Sequence, residues 1–174
     1  MLFRSIVTEM GQPEYYLVPL ALVGIVIFAR TRRVQPQIAL AFAQIGAAGL
    51  VANLLKITLG RCRPKLLWAN PPEYGFTFFS TRYDYTGFPS GHSAVAFGLA
   101  VALTTWKPKL WPVWFAIALV IAGSRIVTGS HYPSDVLGGA ATGAAMAILV
   151  HRFFRARKLL PLPTPPVVHE VEVK

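Results

Sequence analysis

Acidic side chains are scarce in this chain, with 7 Asp and Glu against 17 Lys and Arg in 174 residues. No cluster of carboxylates stands ready to hold Mg²⁺, so neither a metal nor a cofactor is expected. Cysteine is rarer still: Cys62 stands alone, which excludes an internal disulfide and leaves the redox compartment unspecified. Charge of either sign makes up only 14% of residues, and 54% are hydrophobic, for a mean hydropathy of +0.50. That balance excludes an ordinary soluble domain and places the chain in the membrane class. A net charge of +10 would suggest nucleic acid as the partner of a soluble protein. Here the basic residues sit in short segments between apolar runs, where the positive-inside rule puts them. The expected partner is the bilayer, not nucleic acid.

The apolar runs predict an all-α integral membrane bundle of about five transmembrane helices, preceded by an N-terminal interfacial helix. Leu2, Phe3, Ile6, Val7 and Met10 fall at helical spacing opposite Arg4, Ser5, Thr8 and Glu9, as in a helix lying on the membrane surface. Spans follow over Tyr15 to Ala29, Pro36 to about Gly60, Pro89-Ser90 to Trp106, Leu110 to Val127, and Ser134 to Phe154. The first run is long enough to span and lacks a small-residue cleavage site, so it reads as a retained span, not a signal peptide. Length implies one domain, residues 1–158, followed by a Pro-rich cytoplasmic tail, 159–174. On the second span Ala39, Ala43, Gly46, Gly49, Asn53, Lys56 and Gly60 repeat every three or four residues and predict the inward face, with Lys56 pointing into the bundle. Gly139-x-x-x-Gly143 marks a second close-contact face, a motif that carries little weight alone.

Three junctions are rich in cations: Arg30/Arg32/Arg33, Lys107/Lys109 and Arg152/Arg155/Arg157/Lys158. With five spans all three fall on one side, which the rule makes cytoplasmic, and Trp106, Trp111 and Trp114 flank it as an aromatic belt. The opposite side holds Lys56 to Phe88 and Arg125 to Asp135. Every residue with chemical potential lands there.

Those residues form three blocks. Lys56 and Arg63-Pro64 are separated by about two helical turns, roughly 10 Å along one face, although Pro64 disfavours helix at Arg63. Two snorkelling cations at a helix end would be the plain alternative. Pro89-Ser90-Gly91-His92 opens the third span with free backbone N–H groups and the positive end of a dipole, a ready anion site. His92 is placed to donate a proton to whatever binds there, unless Ser90 serves only as a cap. Ser124-Arg125 and then His131 and Asp135 put an arginine, an imidazole and a carboxylate between two apolar runs, where such groups need a reason. A carboxylate on the far ring nitrogen of a histidine fixes its tautomer and suits it to nucleophilic attack beside a phosphate held by Arg125. An ordinary capped loop is the competing reading of that block.

Taken together, Lys56-x6-Arg63-Pro64, Pro89-Ser90-Gly91-His92 and Ser124-Arg125-x5-His131-x3-Asp135 resemble, without departure, the three-part signature of the type 2 phosphatidic acid phosphatase superfamily. The resemblance implies catalytic roles for His131, His92 and Asp135, and phosphate binding by Lys56, Arg63, Ser90, Gly91 and Arg125. It implies no metal: His131 attacks phosphorus to give a phosphohistidine, and His92 protonates the departing oxygen and then activates water. The membrane spans point to the lipid phosphatase branch, whose members typically have six spans. The expected substrate is a membrane lipid phosphate or diphosphate, first of all the 1-phosphate of lipid A. Phosphatidylglycerophosphate, undecaprenyl diphosphate and phosphotransfer to a second lipid are the alternatives, and a small membrane transporter is the alternative of a different class. The expected location is a bacterial cytoplasmic membrane with the site facing the periplasm. The aromatic-rich segment from Lys65 to Phe88 is expected to form the rim at headgroup level.

Overall fold

A computed structural model describes Arg30 and residues 36–159. The expected interfacial helix, the first span and the Pro-rich tail beyond Leu159 lie outside the described residues. Within them are four long helices: α1 (Pro36–Leu59), α2 (Gly91–Trp106), α3 (Trp111–Val127) and α4 (Pro133–Ala156). Proline starts α1 and α4 and sits at the second position of α3, where a missing N–H leaves no bond unmade. The helices agree with the second to fifth expected spans to within a residue or two at each end. Three segments, Pro36–Leu59, Pro108–Val127 and Pro133–Ala156, are long and apolar enough to cross a membrane. At 16 residues α2 is about 24 Å long, short of a ~30 Å hydrocarbon core. It lies at the centre, packed against α1, α3 and α4.

Close approach between α2 and α4 depends on glycine. A Cβ on Gly143 would lie 2.0 Å from the Ala94 carbonyl oxygen, and one on Gly139 would lie 2.3 Å from that of Ser90. The Gly139-x-x-x-Gly143 pair, weak as a motif, is thus the contact that sets the spacing of these two helices.

The inward face of α1 is the expected one at Gly49, which faces Val95, and at Lys56, which reaches Gly91, but not at Gly46 and Asn53. Ile38, Ala41, Ile45, Ala48 and Ala52 are buried, Gly46 and Asn53 are exposed, and no described atom lies within 4 Å of where a Gly46 Cβ would be. Two small-residue series run along this helix, and the one chosen carries larger apolar side chains and Gln44, whose amide donates to the Ala147 carbonyl at 3.0 Å. Helix–helix burial and that hydrogen bond decide the rotation; small size alone does not.

Lys107 and Lys109 between α2 and α3 and the cations ending α4 share one end of the bundle. There Thr104, Pro108, Phe115, His151, Arg152 and Arg155 line a cavity of about 500 Å³. The other end collects the C-termini of α1 and α3, the N-termini of α2 and α4, and the long α1–α2 segment.

Candidate active site

The α1–α2 segment is folded across the second end by backbone hydrogen bonds. Helix α1 stops at Gly60, whose φ of +57° suits glycine and whose Cβ would collide with the Thr77 carbonyl at 1.7 Å. Lys56 and Arg63 therefore do not share a helix face; Arg63 lies on an extended strand-like stretch paired through Thr77 N–H to Gly60 O (2.7 Å), Cys62 N–H to Gly75 O (2.9 Å) and Gly87 N–H to Arg61 O (2.8 Å). Pro64 is not what ends the helix. Trp68, Tyr74, Phe78, Phe79 and Tyr83 are exposed along this segment, Trp68 to 89%.

Ser90 caps α2, its hydroxyl accepting from the Ser93 N–H at 3.4 Å and the Ser93 hydroxyl at 3.0 Å. Its own N–H donates to the Asp135 carbonyl at 2.8 Å, which joins the α2 and α4 starts. Ser90 is fully buried, so its hydroxyl is engaged as a cap in this arrangement. A Cβ on Gly91 would stand 2.9 Å from Lys56 Nζ. The bare glycine lets the Lys56 ammonium lie against the positive end of α2. Two positive features in one place favour an anion between them. His92 is the next residue, half-buried.

The turn after α3 wraps around the Arg125 carbonyl, which accepts from the N–H groups of Ser130 (3.1 Å) and His131 (3.2 Å). Arg125 is 5% exposed, and its Nε and Nη1 have no hydrogen-bond partner. A buried guanidinium with unpartnered donors is a strong mark of an anion site, because orphaned buried donors are otherwise rare and costly. Arg63 is buried too, but its donors are engaged. Nε donates to Tyr83 O at 3.0 Å, Nη2 to Thr86 O at 3.3 Å and Nη1 to Ser130 O at 3.4 Å, with the guanidinium 4.0 Å from the Tyr83 ring centroid. It laces the aromatic segment to the turn that carries His131.

His131 is 3% exposed. Its Nδ1 lies 2.8 Å from the Gly87 carbonyl oxygen and 3.6 Å from Asp135 Oδ2. The carbonyl can only accept, so Nδ1 carries the proton and Nε2 is left as the lone-pair nitrogen. Nδ1–H thus donates to a backbone carbonyl and not directly to Asp135, which stands as a longer-range ionic partner. Burial pushes the imidazole below its ordinary value near 6.5; Asp135 opposes this, while Arg63 and Lys56 add to it. Fully buried Asp135 accepts from the Tyr132 N–H at 2.9 Å and from Arg61 Nη1 at 2.5 Å.

Arg61 and Gly87 are the residues that the spacing argument missed. Arg61 falls among the six unspecified positions between Lys56 and Arg63, and Gly87 contributes only backbone, so neither has a sequence signal of its own. Among the described residues no three His, Cys, Asp or Glu side chains gather as metal ligands.

The family model described as the PAP2 superfamily matches residues 37–159, from the start of α1 to the end of α4. The chain belongs to the PAP2 superfamily. Among PAP2 relatives, it is 36% identical over 111 residues to a lipid A 1-phosphatase of Rhizobium etli, covering 62% of this chain and 46% of that protein. It is 32% identical over 141 residues to the undecaprenyl-diphosphatase BcrC of Bacillus subtilis, covering 80% of this chain and 70% of that one. The chain spans about half the length of the lipid A 1-phosphatases it matches. Among solved structures it is similar to Aquifex aeolicus LpxE, with a TM-score of 0.66, 24% identity, and coverage of 87% of this chain and 84% of that one. A transmembrane PAP2 phosphatidylglycerolphosphate phosphatase from Bacillus subtilis gives a TM-score of 0.64 at 26% identity, covering 88% and 76%. The fold is therefore common to this chain and to both solved structures.

Proposed function

We propose that this chain is a lipid phosphatase that removes phosphate from a membrane lipid phosphate or diphosphate, with the 1-phosphate of lipid A as its first substrate. The observation that carries the reading is Arg125, buried with Nε and Nη1 unpartnered at the turn that presents His131. Lys56 and the N-terminal N–H groups of α2 add positive potential beside it. The names of similar proteins divide between lipid A phosphatases and undecaprenyl-diphosphatases, which makes undecaprenyl diphosphate and phosphatidylglycerophosphate the substrates to test against lipid A.

In this mechanism Lys56, Arg63, Arg125, Ser90 and the Gly91 N–H group hold the phosphoryl oxygens. Ser90 and Arg63 must release a present contact to do so. His131 Nε2 attacks phosphorus in line as the bond to the leaving oxygen breaks, and His92 gives that oxygen a proton. Water then attacks the phosphohistidine, His92 takes the water proton, and inorganic phosphate leaves. The Gly87 carbonyl holds the Nδ1 proton, and Asp135 stabilises the positive charge the ring acquires.

One transmembrane phosphatase domain over residues 1–158 and a tail over 159–174 fit this reading. The cations gathered at the far end of the bundle favour a bacterial cytoplasmic membrane with the site facing the periplasm. The rim aromatics, exposed near the site, suit the headgroup level, where they would frame lipid entry.

Purified protein assayed on lipid A, undecaprenyl diphosphate and phosphatidylglycerophosphate tests the proposal. Phosphate release fastest from lipid A, abolished in His131→Ala with the protein still folded, is expected. Full activity in that variant would remove His131 as nucleophile, and labelled phosphate passing into a second lipid instead of water would make the chain a phosphotransferase.

A further inference from the structure

Asp135 has a partner outside the signature residues. Arg61 Nη1 donates to Asp135 Oδ1 at 2.5 Å and to Ser134 Oγ at 2.7 Å. The guanidinium lies 4.6 Å from the Tyr132 ring centroid and 5.7 Å from that of Phe76, and only 12% of the side chain is exposed. A cation lying over two rings while one of its nitrogens bonds two oxygens suits arginine better than lysine. The backbone of the same residue holds the other support of the imidazole: Arg61 O accepts from Gly87 N–H, and Gly87 O pairs with His131 Nδ1. Gly87 has no room for a side chain here, since a Cβ would stand 2.9 Å from Arg61 O.

We infer that Arg61 is a positioning residue for the reaction: it clamps Asp135 and limits how much of that carboxylate's charge reaches His131. This rests on His131 acting as the nucleophile of the proposed phosphatase. With Oδ1 held by Arg61 and Oδ2 by the Tyr132 N–H, the carboxylate is fixed with Oδ2 3.6 Å from Nδ1. The charged groups that act on the ring are Asp135 from α4, Arg63 from the α1–α2 segment and Lys56 from α1. Asp135 is the negative one. Without Arg61 the buried carboxylate loses the cation bonded to it, and a protonated His131, 3.6 Å away, is placed to take its part. The imidazole then spends more time as imidazolium, which cannot attack phosphorus.

The test is an NMR titration of His131 in the full chain, in detergent, with ¹³C,¹⁵N-histidine assigned by difference from His131→Gln. In Arg61→Gln the midpoint is expected to rise by about one pH unit, a tenfold gain in proton affinity. The acid limb of the kcat profile should move up with it while KM for the lipid stays within about threefold of wild type. A fall in Tm with neither titration nor pH profile moved would make Arg61 merely structural and overturn the inference. Should Arg61→Gln not fold, Arg61→Lys is measured with Asp135 intact and in the Asp135→Asn background. A shift confined to the first supports the clamp; equal shifts, or none, overturn it. Because the titration needs no turnover, inactivity on every lipid would sink the proposed function and leave this measurement standing.

Discussion

Replacing Arg125 by methionine separates binding from folding better than any other change to the site. The side chain is 5% exposed and presents two donors, Nε and Nη1, without partners. If a phosphoryl group fills that gap, two charge-assisted hydrogen bonds are lost, at about 1.5–3 kcal/mol each. The total of about 3–6 kcal/mol corresponds to a loss of roughly 10²–10⁴ in kcat/KM, at about 1.4 kcal/mol per tenfold. Stability should move the other way or not at all. A buried cation without a counterion is unfavourable in the free protein, and methionine fills similar volume without it. The assay is phosphate release from lipid A micelles, paired with thermal unfolding in the presence and absence of vanadate. Wild type should gain Tm with vanadate, and Arg125→Met should gain none while matching or exceeding the ligand-free wild type. Activity within tenfold of wild type, or an unchanged vanadate shift, would refute the assignment of the anion site to Arg125.

Four other outcomes are expected. Gly143→Leu drives a side chain into the Ala94 carbonyl, where even a Cβ would sit at 2.0 Å, and should lower stability by about 1–3 kcal/mol or prevent folding. Gly46→Ala has no described neighbour to meet and should raise stability by about 0.5–1 kcal/mol; both are read from Tm. Since burial holds His131 below its ordinary value near 6.5, its neutral, nucleophilic form should persist below that pH, with the acid limb of kcat/KM there as well. The same shift contributes stability above the unfolded value, lost as pH falls through the folded one because the unfolded chain binds the proton more readily, as Tm against pH will show. Gly60→Ala should disorder the aromatic segment and abolish activity, because no L side chain fits beside the Thr77 carbonyl; circular dichroism should show α1–α4 retained.

The helices were readable because their ends carry local signals: Pro36, Pro133, the Ser90 cap and the switch from apolar to charged residues need no knowledge of the fold. The three signature blocks were readable for a related reason, since helix ends on one membrane face must converge. The rotation of α1 was not, because two small-residue series compete along it and only contact with α2 and α4, including the Gln44–Ala147 bond, selects between them. The end of α1 near Gly60 was readable as a boundary, but its cause was not: Gly60 is held by a loop folded back from residue 77, which leaves no local signal. The support of His131 was readable only in part for the same reason. Asp135 is four residues away and visible, whereas the Gly87 carbonyl is 44 residues away and has no side chain.

The central claim is that His131 forms a bond to phosphorus. Mixing the protein with lipid carrying ³²P at the labile position, quenching in alkali within milliseconds and mapping the label by peptide mass spectrometry tests it most directly. Label on His131, stable in alkali and released by acid, is the predicted result. Label on another residue, or phosphate appearing in water with no labelled protein at any quench time, would contradict it.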